Sequence, residues 1–187
     1  MKNRLFMTKQ EIWVTLKNEQ SISCRPIRLG DVTARHEFFV VLSLAQTGMV
    51  HTEQEIEFHA YETHDKIVDF LKNKRGFWLV ALDGEKIIGE IDITIKNLIR
   101  IRHNGALTVG ILPEYQGMGL GTLLMEQALI WARQHKITRL ELSVFASNRK
   151  AQNLYIKFGF VLEGIRKNFL RHEDGSLEDD IIMAKHI

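Results

Sequence analysis

The stretch from Leu107 to Thr122 limits most narrowly what this chain can fold into. An apolar run, Leu107 to Leu112, reads as a strand; Pro113-Glu114-Tyr115-Gln116-Gly117-Met118-Gly119-Leu120-Gly121-Thr122 follows, and an amphipathic helix begins at once. Glycines let a backbone come close to a ligand. A helix start adds unpaired N–H groups and the positive end of the dipole. A strand, a glycine-punctuated turn and a helix in that order make a site for a phosphate or pyrophosphate.

Two common phosphate-binding patterns do not fit. A P-loop needs Lys-Ser/Thr after its last glycine, and here Gly121 is followed by Thr122 and Leu123. The dinucleotide fingerprint G-x-G-x-x-G, started at Gly117 and Gly119, would need glycine at 122, where threonine sits. The pattern Gln/Arg-x-x-Gly-x-Gly/Ala is met by Gln116, Gly119 and Gly121. Downstream, Arg139 to Phe145 alternates like a strand, with Leu140, Leu142 and Val144 on one face. Asn148 then stands where a helix wants an N-cap, and Gly159 where its C-terminus wants a left-handed residue. The segment reads Asn148-x-x-Ala151-x-x-Leu154-Tyr155-x-x-x-Gly159-Phe160.

These two segments, in this order, resemble the acyl-CoA loop and the second signature of the GCN5-related N-acetyltransferase (GNAT) family. The resemblance implies an α/β (α+β) fold: a mixed, mostly antiparallel central sheet, splayed in its middle and flanked by helices. It implies an N-acetyltransferase with acetyl-CoA as donor, acting on the primary amine of a small molecule. A protein N-terminus or lysine as acceptor, and a non-catalytic acyl-CoA-binding regulator, are the alternatives. Backbone groups of Val109 and Ile111 would run along the pantetheine arm, and the amides of Gln116, Gly117, Met118, Gly119, Leu120 and Gly121, with Thr122, would hold the pyrophosphate. Asn148 would bond the pantetheine. Lys150 and Arg149 either meet phosphates or are solvated helix charges. Tyr155 would protonate the leaving thiolate, or else is a packed tyrosine whose hydroxyl only orients the sulfur.

The base is open. In the family's ribosomal-protein acetylases a glutamate precedes the valine of the strand before the Asn helix, and Ser143 stands at that place here, beside Val144. Glu141, two residues earlier, is one replacement; Glu90 and Asp92 are others, because an acetyl acceptor amine is mostly protonated at neutral pH and must lose a proton. His103 reads as structural. For the acceptor pocket the resemblance indicates Phe38 to Phe58 and Asn168 to Asp180, with Arg166 or Arg171 able to clamp a carboxylate.

Composition is consistent with this. At 187 residues, 45% hydrophobic and 26% charged, the chain can bury a proper core in one domain. We expect that domain over 21–187, with 1–20 an N-terminal extension or edge strand. A net charge of +2 gives no argument for nucleic acid. The single cysteine, Cys24, reads as a small buried residue, and the eight histidines form no His-x-x-x-His pair, so no metal site is expected. No signal-peptide pattern opens the chain and no apolar run approaches membrane-spanning length. A cytoplasmic protein with no membrane partner is expected, and by analogy a homodimer through the C-terminal strands.

The remaining elements follow from periodicity. Glu11–Leu16 and Ser21–Ile27 read as a hairpin, and Phe77–Leu82 with Lys86–Ile95 as a second one through Asp83-Gly84-Glu85. Asp31 or Thr33 should cap a helix through Leu44, and Thr63 one ending near Lys74. His103–Leu112, the helix Gly119–His135, and strands near Phe160–Leu170 and Glu178–His186 complete the order.

Overall fold

The computed structural model describes residues 11–45, 55, 60–73 and 75–187. Eight strands form one sheet in the order β1-β2-β3-β4-β5-β6-β8-β7. They are β1 (Ile12–Thr15), β2 (Ser21–Pro26), β3 (Gly76–Asp83), β4 (Lys86–Ile95), β5 (Asn104–Ile111), β6 (Arg139–Phe145), β7 (Val161–Arg171) and β8 (Leu177–His186). Every neighbouring pair is antiparallel except β5 with β6. The expected mixed, mostly antiparallel sheet is therefore present. Both hairpins form where their turn residues predict them, Gly84 taking a φ of 60° between β3 and β4. β1 is the edge strand of this same sheet, and residues 1–10 lie outside the described residues.

Among the described residues, four helices flank the sheet: α1 (Val32–Leu44), α2 (Ala60–Asn73), α3 (Leu120–Gln134) and α4 (Arg149–Lys157). Adjacent strand residues point to opposite faces, so two glycines show which helix covers which side. A side chain at Gly110 would meet Phe38 and Leu42 of α1, while one at Gly89 would meet Leu120 of α3. Gly110 pairs with Glu90, and Gly89 with Ile111. Hence α1, with α2 packed beside it, lies on the face of Glu90, and α3 on the face of Ile111. α3 buries a stripe of Leu120, Leu124, Met125, Ala128, Leu129 and Ala132, spaced as one helical face requires.

Two helix starts depart from expectation. Asp31 does precede α1 but makes no side-chain cap. Its carboxylate is taken by Arg25, through two hydrogen bonds of 2.7 Å, and by the Arg28 amide. Thr63 is not a cap, because α2 already begins at Ala60 and Thr63 is buried in its first turn. The polar stretch Gln46–Glu57 and the expected end at Lys74 fall outside the described residues, Glu55 apart.

The feature that shapes the molecule is where β5 leaves β6. Their parallel ladder consists of Asn104↔Arg139, Gly105↔Leu140 and Ala106↔Glu141. Beyond Ala106 the strands part, β5 continuing along β4 and β6 along β8. This is the splay that the resemblance implied.

Candidate active site

The parting of β5 and β6 leaves one edge of β5 unpaired. The Leu112 amide donates to the Ile88 carbonyl on the β4 side. By the alternation of an antiparallel ladder, Val109 and Ile111, beyond the last residues paired with β6, turn their N–H and C=O groups the other way, into the gap. An unpaired run of this kind can take an extended, amide-bearing chain as a further strand.

The glycine loop stands at the end of that edge. Gly117 and Gly119 have φ of 79° and 93°, a region that costs a side-chain-bearing residue about 1–2 kcal/mol. Gly121 serves another need: a Cβ there would lie 3.0 Å from Leu154 and 3.2 Å from Ile111, where α3 passes close to α4 and β5. α3 starts on Gly119 without a side-chain cap, and its first internal bond runs from the Leu123 amide to the Gly119 carbonyl. The amides of Leu120, Gly121 and Thr122 are the orphan donors of this helix start.

α4 closes the other side. The Asn148 side-chain oxygen Oδ1 accepts the Ala151 amide at 3.1 Å, as an N-cap should, and leaves the side-chain NH2 group for a ligand. Gln152 donates to the Phe145 and Ala146 carbonyls at 3.0 Å each, fixing the turn from β6 into the helix. Gly159, with φ of 81°, ends it. Tyr155 is thereby held against Phe160, and burial pushes its phenol up to about 12. Full proton transfer to a thiolate, whose thiol titrates near 8.5, would then be uphill by roughly 5 kcal/mol in the unliganded protein. A hydroxyl in this state donates a hydrogen bond to a sulfur that is gaining charge.

Together these parts enclose a cleft of about 390 Å³. Val109, Ile111, Gln116, Gly117, Gly119, Gly121, Thr122, Asn148, Lys150 and Tyr155, all expected at the site, line it. Met118 and Leu120 do not: their side chains pack into the core, so only their backbone can serve a ligand. The Gln116 side chain donates to the Ile111 carbonyl at 3.2 Å and so shapes the loop. Arg149 is engaged with Gln152. Lys157, which the sequence did not single out, reaches the Thr122 hydroxyl at 3.1 Å.

Lys17 was also missed. It follows β1, in the stretch read as an extension, yet it lines the cleft. Its amide donates to the Met118 carbonyl at 3.2 Å and its stem passes 3.8 Å from the Cβ position of Gly119. Nearby, Tyr115 and Gln20 both donate to Asp83 at 2.7 Å, so both hairpins hold the loop. No sequence pattern linked residue 17 with residue 118; only the pairing of β1 on β2 brings them together.

On the opposite face lies a second cavity, of about 840 Å³, between α1, α2 and strands β3 to β5. The expected acceptor and base residues stand around it as follows. Glu90 is buried and accepts two hydrogen bonds from Arg35, at 3.0 and 3.1 Å, and one from the Trp78 indole at 3.0 Å. Arg35 is itself stacked between Phe39 and Trp78. An anion so compensated is a structural one, and removing one partner of such a buried pair costs about 3–5 kcal/mol. Glu141 lines neither cavity; it sits 3.5 Å from Arg139, which also pairs with Glu163. Arg166 is bound to buried Asp180 through Nε at 2.8 Å and Nη2 at 2.5 Å, and also donates to Ser143, while Arg171 lines neither cavity. The segment Asn168–Asp180 contributes nothing to the wall, whereas α2, Trp78 and Asp92 do. His103 serves through its carbonyl, which accepts the Thr138 and Arg139 amides.

Comparison with known proteins agrees with the geometry. Residues 41–160 match the acetyltransferase (GNAT) family. A solved acetyltransferase of that family from Streptococcus pneumoniae superposes with a TM-score of 0.81 at 30% identity, covering 89% of this chain and 99% of that one. The ribosomal protein bS18-alanine N-acetyltransferase of Escherichia coli is 40% identical over 76 residues, 41% of this chain and 51% of that protein. The L-amino acid N-acetyltransferase of the same organism is 26% identical over 111 residues, 57% of this chain and 65% of that protein. The chain thus spans about half the length of the ribosomal-protein acetylase and somewhat more of the other.

Replacing Lys17 with methionine keeps the stem and removes the charge. Calorimetric titration with acetyl-CoA should then show a Kd raised about three- to tenfold, with a shallower salt dependence. An unchanged Kd and salt slope would mean the ammonium stays in solvent.

Proposed function

This chain belongs to the GNAT acetyltransferase family, and we propose on that premise that it transfers the acetyl group of acetyl-CoA to the primary amine of a small molecule. Members of the family use acetyl-CoA, which supplies an activated thioester carbonyl. The observation that carries the reading is the placement of two cavities back to back on β5. Thr108 lines the larger one and Val109, the next residue, lines the cleft. One strand separates a donor site from an acceptor site, and the parting of β5 from β6 opens a way between them.

The residues of the cleft then have these roles. The amides at the start of α3, with Lys17 and Lys150, take the phosphates. The free edge of β5 at Val109 and Ile111 pairs with the amides of the arm, and the NH2 of Asn148 gives it one further bond. Tyr155 stands deeper in the same cleft and donates its hydroxyl proton toward the sulfur as the C–S bond weakens. The acceptor amine enters from the α1/α2 face. A walled cavity with Phe39, Phe70 and Trp78 in its lining suits a small molecule, and the likeness to an L-amino acid N-acetyltransferase supports that class. The likeness to ribosomal-protein acetylases favours a second reading, in which a protein N-terminus enters the same cavity. Ser143 at the family's glutamate position counts against it.

No helix among the described residues is long and apolar enough to cross a membrane, and we place the enzyme in the cytoplasm. β7 is an edge strand exposing Val161, Leu162, Ile165 and Phe169, which supports a homodimer through the C-terminal strands. Sedimentation equilibrium should give twice the 21.7 kDa chain mass, and a monomer at all concentrations would remove the dimer.

Changing Tyr155 to phenylalanine removes only the hydroxyl. In a thiol-release assay kcat should fall about 10²-fold while the acetyl-CoA Kd stays within twofold. A variant with full kcat would show that Tyr155 is no acid, and a lost affinity would assign it to binding.

A further inference from the structure

The larger cavity contains two carboxylates on one strand whose surroundings differ. Glu90 and Asp92 are two residues apart on β4 and share a face. Glu90 has its charge compensated by Arg35 and Trp78. Asp92 is half-buried, and the only hydrogen bonds it accepts among the described residues come from hydroxyls, those of Thr94 at 3.2 Å and of Thr108. It forms no salt bridge among them. It lies in a row across three strands, Trp78↔Asp92↔Thr108. Thr108 is just past the last residue paired with β6, and neighbouring strands stand about 4.8 Å apart. Asp92 is therefore one strand away from the gap through which the donor and acceptor sites communicate.

We propose that Asp92 is the group that takes the proton from the acceptor amine, and that the cavity it lines admits a primary ammonium carried on an apolar or aromatic body. This rests on the acetyl-transfer reading given above. The Asp92 carboxylate removes one proton from R–NH3⁺, leaving a nitrogen lone pair to form the N–C bond. The C–S bond breaks, the sulfur leaves with a proton, and the nitrogen gives up a second one. The sum is ammonium and thioester going to amide, thiol and one released proton, with no other reactant needed.

The charges around Asp92 suit that task. Burial, and secondly the Glu90 anion, push its carboxyl up to about 7, against the opposing pull of Thr94, Arg35 and Thr108. α2 adds Asp65, Lys66 and Asp69 to the wall, and Arg75 stands before β3. With Arg35 and Glu90 cancelling, Asp65, Asp69 and Asp92 face Lys66 and Arg75, so a cation is favoured once Asp92 is ionised. A base titrating near neutrality is half-ready at the pH of use and returns its proton to solvent easily. Because the folded value is raised, the active form is populated as pH climbs through about 7, and the ionised carboxylate correspondingly weighs against stability above that pH.

The test compares wild type with Asp92→Asn, which keeps the shape and loses the base. Thiol release from acetyl-CoA is followed with L-phenylalanine, tyramine and spermidine across pH about 5.5 to 9.5. Wild type should acetylate at least one of these, with an acidic limb near 7. Asp92→Asn should lower kcat about 10²-fold, keep the acetyl-CoA Kd, and replace that limb by one near the amine's own pKa of about 10. Carboxyl carbon NMR adds a readout that needs no turnover: one aspartate of the wild type should titrate near 7 and be missing from the variant. A variant with wild-type kcat and limb, or the absence of such a titrating aspartate, overturns the role of Asp92. Acetyl-CoA binding with turnover of none of the three amines overturns the cavity as a small-amine site. Failure to bind acetyl-CoA would instead bring down the acetyl-transfer reading itself.

Discussion

Everything in the site depends on a ladder that stops early. Among the described residues β5 and β6 are the only parallel neighbours in the sheet, and they share three residue pairs before they separate. Parallel pairing holds slightly less tightly per residue than antiparallel pairing, and each strand has an antiparallel neighbour to follow. The result is a short run at Val109 and Ile111 whose backbone groups have no partner in the sheet, the Ile111 carbonyl taking a bond from the Gln116 side chain. Buried backbone groups need partners. The molecule leaves these to a ligand with amides of its own, and sets a helix start rich in unpaired amides at the end of the run.

On the other side of the sheet, the acidic residues of β4 differ in their partners. On the α1/α2 face, the row of Glu90 and the row of Asp92 are adjacent, yet one carboxylate is held by a guanidinium and the other by hydroxyls. Arg35 hydrogen-bonds only the first, and α1 packs over Gly110, where the missing side chain lets Phe38 and Leu42 come down onto the sheet. In the next row, Thr108 lines the cavity. Glu90, opposite Gly110, is thus held in a buried ion pair, while Asp92, opposite Thr108, is bonded to hydroxyls.

Local chemistry was legible in the sequence; what required register was not. The Asp83-Gly84-Glu85 turn, the loop Gln116–Gly121, the Asn148 cap and the Gly159 stop all act within a few residues, and each is where its residues imply. Glu90 read as a possible base because a sequence does not show that Arg35, far away in the chain, would lie against it. Glu141 and Arg166 likewise have partners on β6, β7 and β8 that the sequence does not show. Lys17 was invisible as a cleft residue because its importance comes from an edge hairpin folding onto the loop. Thr63 shows the converse: an N-cap residue type inside a helix, where the apolar side of α2, with Ile67 buried against the core, carries the helix past it.

The claim that the free edge of β5 receives the donor's arm is open to a direct measurement, amide hydrogen exchange with and without acetyl-CoA. Val109 and Ile111 should exchange readily in the free protein and become protected on binding, together with Leu120 to Thr122, while Thr108 and Gly110, bonded toward β4, change little. Acetyl-CoA binding that leaves Val109 and Ile111 as exposed as before would contradict the account, because the donor would then lie somewhere other than in the gap between β5 and β6.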